Sequence, residues 1–316
     1  MTCTLTYWRE KWTWVSADTT SYTYYVTAVD AAGNESVASN TTTVTTHTTG
    51  TWPDATNTGY LPTGVTLTEY GGVLIFGGTQ TTNITLDSMH IVGMIQVYGS
   101  AAVTVTLTRC KVSANIDIDT AGSSLHMTDC EVDAGLIGIA AVGFRNLTLT
   151  RCNLHGGPLQ VNASQNALVQ DSYLHGATLY PTSADHLGAF LCSGGDHLQV
   201  THNYLACNTP DNGYGGGASS NLQLFGDFAT LDTITVDGNC FAATTGGYAA
   251  SFGYNPGKPF GDTPTHIVVS NNVFERGVNG KGGVYGTTTS FLDTEPTNQW
   301  SNNTWRDTGA QLPPNV

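Results

Sequence analysis

The chain has 316 residues, and Asp, Glu, Lys and Arg make up only 11% of them, well under the usual quarter. Its net charge of -14 speaks against nucleic acid, because phosphate binding needs clustered Lys and Arg; an acidic glycan would need a local basic pocket. No stretch approaches 18 apolar residues, so no membrane span is expected.

The first residues, MTCTLTYWREKWTWV, lack the basic and apolar regions of a signal peptide. Work outside a cell would therefore call for a removed leader or release by lysis. The seven cysteines form no Cys-x-x-Cys pair, and their odd count excludes full pairing within the chain. Residues 1–47 read as a separate small β module. Its segment SYTYYVTAVDAAGNESVASNTTTVTT (21–46) is similar to the last two strands of a fibronectin type III domain, in the Tyr-rich strand and the AVDAAGNES turn. TTHTTGT (45–51) reads as a linker into a second domain, residues 48–316.

That second domain repeats. The segments LTRCKV, MTDCEV, LTRCNL, VQDSYL, VTHNYL, VDGNCF, VSNNVF and WSNNTW share one pattern. An apolar residue is followed by two polar ones, a small centre, any residue, and a second apolar one. The centres are Cys110, Cys130, Cys152, Ser172, Asn203, Asn239, Asn272 and Asn303, at spacings of 20, 22, 20, 31, 36, 33 and 31. LDSMHI suggests an earlier coil centred near Ser88. A period near 20 that stretches by insertion predicts a right-handed parallel β-helix, one short-stranded coil per repeat. Alternate apolar residues upstream, such as Val103, Val105 and Leu107, predict strands with one buried face. The centres are expected inside a turn, where stacked Asn side chains bond one another and the backbone. For the stacked cysteines, buried thiols are expected rather than disulfides.

Two outward columns follow from this register. Asp87, Arg109, Asp129, Arg151, Asp171 and His202 each precede a centre and alternate in sign, which suits a ladder of surface ion pairs. Asp133, His155 and His175 lie three residues after their centres, and read as ordinary polar stacking or as a catalytic or metal-binding row.

From TWPDATNTGYLPTG (51–64) onward, the chain resembles right-handed β-helix proteins of actinobacteria and their phages, where they occur as minor tail proteins. The resemblance covers roughly 265 residues. It rests on WPDATNTG, ASSNLQLFGDFATLDTITVDGNCF (218–241), GGVYG (282–286) and NQWSNNTWRDTG (298–309). It implies membership of the pectate-lyase-like superfamily, engagement of a carbohydrate polymer, and an extracellular or virion-tail location. A homotrimer would accord with the tail reading. Many relatives carry His-x-Asp-Gly-hydrophobic-Gln where this chain has HLGAFL (186–191). His186 is kept, but Gly188 and Leu191 replace the Asp and the Gln, with Asp185 adjacent.

The later coils are longer by stretches 176–196, 206–230, 243–264 and 277–298, all after their centres. Insertions at one phase are expected to leave one side of the solenoid and wall a groove. Tyr214, Tyr248, Tyr254, Tyr285 and Lys281 in these loops suit sugar stacking and binding, with His155 and His175 added from their column. A lyase acting on a uronate polymer would need a base, from His186, Tyr254, Lys258 or Lys281, and a cation such as Ca²⁺ on Asp185, Asp211 or Asp227. A hydrolase would need two carboxylates from Asp185, Asp211, Asp227 and Asp262. The catalytic candidates are thus His186, Lys258, Asp185 and Asp227, with Asp185 and Asp211 for a metal. A non-catalytic glycan-binding domain and a purely structural spike remain open beside the enzyme.

Overall fold

A computed structural model describes residues 20–24, 27, 33, 34, 36, 37, 42–46, 51–71 and 73–316. The chain forms two units, Met1–Thr51 and Trp52–Val316. In the first unit, strands Thr20–Tyr24 and Thr42–Thr46 pair antiparallel. The predicted AVDAAGNES turn lies largely outside the described residues, as does the N-terminal stretch before Thr20.

The second unit is a parallel β-helix. Alternation of apolar and polar residues gives each strand one inward edge, and parallel in-register pairing stacks those edges into columns. One column runs Val105, Leu125, Leu147, Ala167, Leu198, Ile234 and Ile267. All seven are 3% exposed or less, so the core is one continuous apolar rod. Phenylalanines fill it where later coils widen: Phe241 and Phe274 stack at 4.6 Å and 7°.

Each coil contributes to three faces. The first includes Ile95–Val97, Ile116–Ile118, His186–Cys192, Leu222–Phe225, Tyr248–Gly253 and Gly286–Thr289. The second includes Thr104–Thr108, Ser124–Thr128, Gly195–Thr201, Leu231–Asp237 and Thr265–Ser270. The long strands Val142–Thr150 and Leu159–Gln170 bend from the first face into the second. The third face is a ten-stranded sheet of short strands from Thr68–Tyr70 to Thr304–Trp305.

Both bends bordering the second face use left-handed backbone. Asn146, Asn166, His197, Thr233 and His266, aligned on successive coils, have φ between 50° and 55° and turn the chain from first face to second. Arg109, Asp129, Arg151, Asp171, His202, Gly238, Asn271 and Asn302 do the same between second and third. The next residue is then driven inward, which is why the small centres are fully buried.

There they form a ladder. The backbone N–H of Ser172 donates to Asn203 Oδ1, that of Asn203 to Asn239 Oδ1, and that of Asn272 to Asn303 Oδ1, at 2.9 to 3.0 Å. In the earlier coils the acceptors are Cys130 Sγ and Ser172 Oγ. The six described cysteines are buried free thiols. The ladder is also present, as ion pairs of Arg109 with Asp87 and of Arg151 with Asp129, and a 2.7 Å hydrogen bond between His202 Nδ1 and Asp171 Oδ1.

The first coil corrects one register. Asp87 pairs with Thr108 and His90 with Lys111, so Met89, not Ser88, stands at the centre. Ser88, with φ 56°, takes the bend that Arg109 takes in the next coil.

Candidate functional site

The long insertions do not leave one side of the solenoid. Each contains a first-face strand, His186–Cys192, Leu222–Phe225, Tyr248–Gly253 or Gly286–Thr289. That strand divides the insertion into a loop before it and a loop after it. The single expected wall is therefore two rows of loops flanking the first face, because the inserted residues include sheet as well as turn.

The row before the strands carries Tyr180, Tyr214 and Tyr285, and Tyr248 opens its own strand, one tyrosine on each of four successive coils. Its loops stack by hydrogen bonds from coil to coil. Asn212 Nδ2 donates to the Ser183 carbonyl at 2.8 Å, Thr245 Oγ1 to that of Thr209 at 3.0 Å, and the Tyr285 N–H to that of Gly247 at 2.8 Å. Tyr180, Tyr214 and Tyr285 are 45%, 63% and 72% exposed, and the Tyr248 and Tyr285 rings lie 6.0 Å apart. Lys281 is exposed in the same row, its N–H bonded to Asn279 Oδ1.

Asp185 and His186 sit at this edge too. His186 is exposed, with Nδ1 2.7 Å from Ser219 Oγ, and the Asp185 carbonyl accepts the Gly217 N–H. Asp211 Oδ1 is engaged by the N–H of Gly213 in a local turn. Asp227, Tyr254 and Lys258 lie in the other row, past the far ends of the strands. Lys258 Nζ donates to Asp227 Oδ1 at 2.6 Å and lies 4.5 Å from the Phe225 ring centroid. The seven-residue strand from His186 to Cys192 separates the two groups by about 20 Å at 3.3 Å per residue. The four catalytic candidates therefore form two pairs on opposite edges. Tyr254 lines a cleft of about 430 Å³ with Phe291, Asp293 and Asn315.

A denser polar cluster lies on the third face. Glu131 and Asp133 are alternate residues of one strand, so both point outward, and His155 lies opposite Asp133 on the next strand. His155 Nε2 is 3.5 Å from Glu131 Oε1 and its Nδ1 is 3.5 Å from Asp133 Oδ1. Lys111 Nζ lies 2.8 Å from Glu131 and 4.0 Å from Asp133. His175 stacks on His155 at 5.3 Å and on Tyr173 at 3.8 Å, and donates through Nε2 to Asn153 Oδ1 at 2.8 Å. Of the sequence candidates, His155 and His175 thus meet in one place.

The WPDATNTG segment explains the burial of this cluster. Pro53, Thr58 and Gly59 are buried, and the Gly59 N–H donates to the Arg151 carbonyl at 2.9 Å. A side chain at Gly59 would meet the Cβ of Asn153 at 3.0 Å. Glu131 is left 6% exposed. Burial by itself would raise its carboxyl, but hydrogen bonds from His155 and Lys111 outweigh that and hold it below the usual range. Burial, helped by neighbouring His155, pushes His175 down to about 4.

Sequence reading followed the column three residues past the centres and missed Glu131 and Lys111, one past them. The signal was present, since positions one and three past a centre share an outward face in a strand. Among the described residues, Glu131, Asp133 and His155 form one group of three side chains able to hold a metal ion; Asp185 and Asp211 are not in it.

Fold and site together define a parallel β-helix with tyrosine-bearing loops along one edge and a partly buried acid–histidine cluster on one face. No helix among the described residues is long and apolar enough to cross a membrane. No protein-family model matches the chain, nor does any curated protein or solved structure.

Proposed function

We propose that the second unit binds an extended polysaccharide along the first face and its tyrosine-bearing corner. The observation that carries this reading is one tyrosine per coil at this edge, with Tyr180, Tyr214 and Tyr285 exposed and the Tyr248 and Tyr285 rings 6.0 Å apart, on loops joined by inter-coil hydrogen bonds. Aromatic faces bind sugar rings through their apolar C–H surface, and a rigid row loses little conformational entropy on binding. A repeating surface suits a repeating ligand. In this reading the chain is an extracellular or virion-tail protein akin to the β-helix proteins of actinobacteria and their phages, acting as a monomer or a homotrimer.

Cleavage of that polymer is a second reading, favoured by Asp117. This residue points out of the first face between Ile116 and Ile118, which face the core. Burial raises its carboxyl above the usual range, and its Oδ1 has no hydrogen-bond partner among the described residues. A hydrogen bond with Gln96 works against that rise, and a raised carboxyl on this face is a candidate for the general acid of a hydrolase.

The test is retention on immobilised uronate and neutral polysaccharides, with and without Ca²⁺. Reducing-end and 235 nm assays, the latter reporting the unsaturated products of a lyase, run in parallel. Binding that weakens about tenfold or more in Tyr214→Ala and Tyr285→Ala supports recognition at the corner. Binding indifferent to both substitutions overturns it. New reducing ends that vanish in Asp117→Asn establish hydrolysis, whereas 235 nm absorbance lost in His186→Ala or Lys258→Ala would establish a lyase at the flanking loops.

A further inference from the structure

The geometry points to a binding site for one first-row divalent transition-metal ion, of the Zn²⁺ class, formed by Glu131, Asp133 and His155 on the third face. One oxygen of each carboxylate and one ring nitrogen lie within 4.8 Å of one another. A tetrahedral ion with bonds near 2.0–2.2 Å needs its ligands roughly 3.4 Å apart, so closure asks for side-chain rotation and no backbone movement. The backbone is already fixed: Asp133 and His155 are paired in register.

Two further features govern how the site would take an ion. The ammonium of Lys111 lies 2.8 Å from Glu131 and 4.0 Å from Asp133, so the two carboxylates share one cationic partner that an arriving ion must displace. Lysine reaches there on a flexible four-carbon stem and can withdraw toward solvent, which makes it a competitor for the ion. Behind His155 stands a supporting layer. His175 is clamped between the rings of His155 and Tyr173 and bonded to Asn153, which limits how the His155 ring can turn. Metal-binding imidazoles are oriented by such neighbours.

The donor set selects the ion class. One imidazole nitrogen with two carboxylate oxygens suits Zn²⁺, Co²⁺ or Mn²⁺, whereas Ca²⁺ takes six to eight oxygens. The site is also partly shielded, with Glu131 almost fully buried, while Asp133, its side chain 41% exposed, leaves a way in.

The experiment uses the full chain, freed of metal by chelation, titrated with Zn²⁺ by calorimetry and with Co²⁺ by visible absorption. One tight equivalent is expected, with the d–d bands of a four- or five-coordinate Co²⁺ ion. Affinity should fall about tenfold or more in His155→Asn and in Asp133→Asn, and rise in Lys111→Met because the competing ammonium is gone. Asp133 and His155 are both partly exposed, so these two variants should fold even if Glu131→Gln does not; circular dichroism checks this. The proposal is overturned if the native chain takes up no tight equivalent. It is equally overturned if the equivalent survives in both His155→Asn and Asp133→Asn, which would assign it to surface histidines such as His186 or His266.

Discussion

Asn272 Oδ1 accepts two hydrogen bonds from Asn239, one from its backbone N–H at 2.9 Å and one from its Nδ2 at 3.0 Å. The same double contact joins Asn203 to Asn239 and Asn272 to Asn303. Each rung is fully buried, where an unpaired donor costs the full desolvation of the group.

Asn239→Ala therefore removes the acceptor for Asn203 and the donor to the Val200 carbonyl. The expected loss is about 3 kcal/mol, read as a fall in the urea midpoint. Asn239→Ser should lose less, because Ser172 shows that a hydroxyl can accept the N–H of the neighbouring centre. A midpoint unchanged in Asn239→Ala would mean that the ladder does not hold the coils in register.

Among the described glycines, Gly195 is the one least able to take a side chain. Its φ is 155°, and a Cβ would come within 1.6 Å of the Ser164 carbonyl oxygen. The contact is backbone on backbone between successive coils, so no rotamer change relieves it. Gly195→Ala should lower stability by several kcal/mol or leave the chain insoluble, which expression and melting of the variant would reveal.

Thr233 makes the opposite case. It is β-branched yet holds φ 55° at the bend between first and second faces, at an exposed position. Asn occupies the aligned place at Asn166 and Asn146, and Asn tolerates left-handed backbone far better. Thr233→Asn should stabilise the protein by roughly 1 kcal/mol. A variant that melts at or below the native temperature would show that the bend carries no strain.

His175 gives the molecule an acid-sensitive point. Burial, together with His155, pushes it down to about 4, while in the unfolded chain it titrates near 6.5. Between those values the unfolded state binds a proton that the folded state does not, so stability falls as pH drops from about 6.5 toward 4. The full difference corresponds to about 3 kcal/mol, and the partial exposure of the ring reduces it to about 2. Unfolding free energies measured between pH 7 and 4 should decline less steeply in His175→Phe than in the native chain. Parallel curves would refute the shifted titration.

The β-helix was legible because its repeat is carried by local chemistry. A small centre must fill a tight turn, and the apolar residue on either side must face inward, so Cys110 through Asn303 mark their coils without any contact being known. The slip at LDSMHI shows the limit: Ser88 resembles a centre in size, but only pairing with the next coil puts Met89 there. The bends at Asn146, Asn166, His197, Thr233 and His266 escaped notice because left-handed backbone is adopted there by residues of unlike chemistry.

The sequence by itself determined the solenoid, the columns, the ion-pair ladder and the buried thiols, since each follows from residue size and alternation within a coil. Only the tertiary structure decided how the insertions divide. A strand inside each one sends Asp185 and His186 to one edge of the first face and Asp227 and Lys258 to the other. It also decided that WPDATNTG folds over the third face and encloses Glu131 beside Lys111, Asp133 and His155. Those contacts join residues roughly 20 to 100 positions apart, whose meeting depends on coil stacking and on the path of a covering segment, and neither is written in a local pattern.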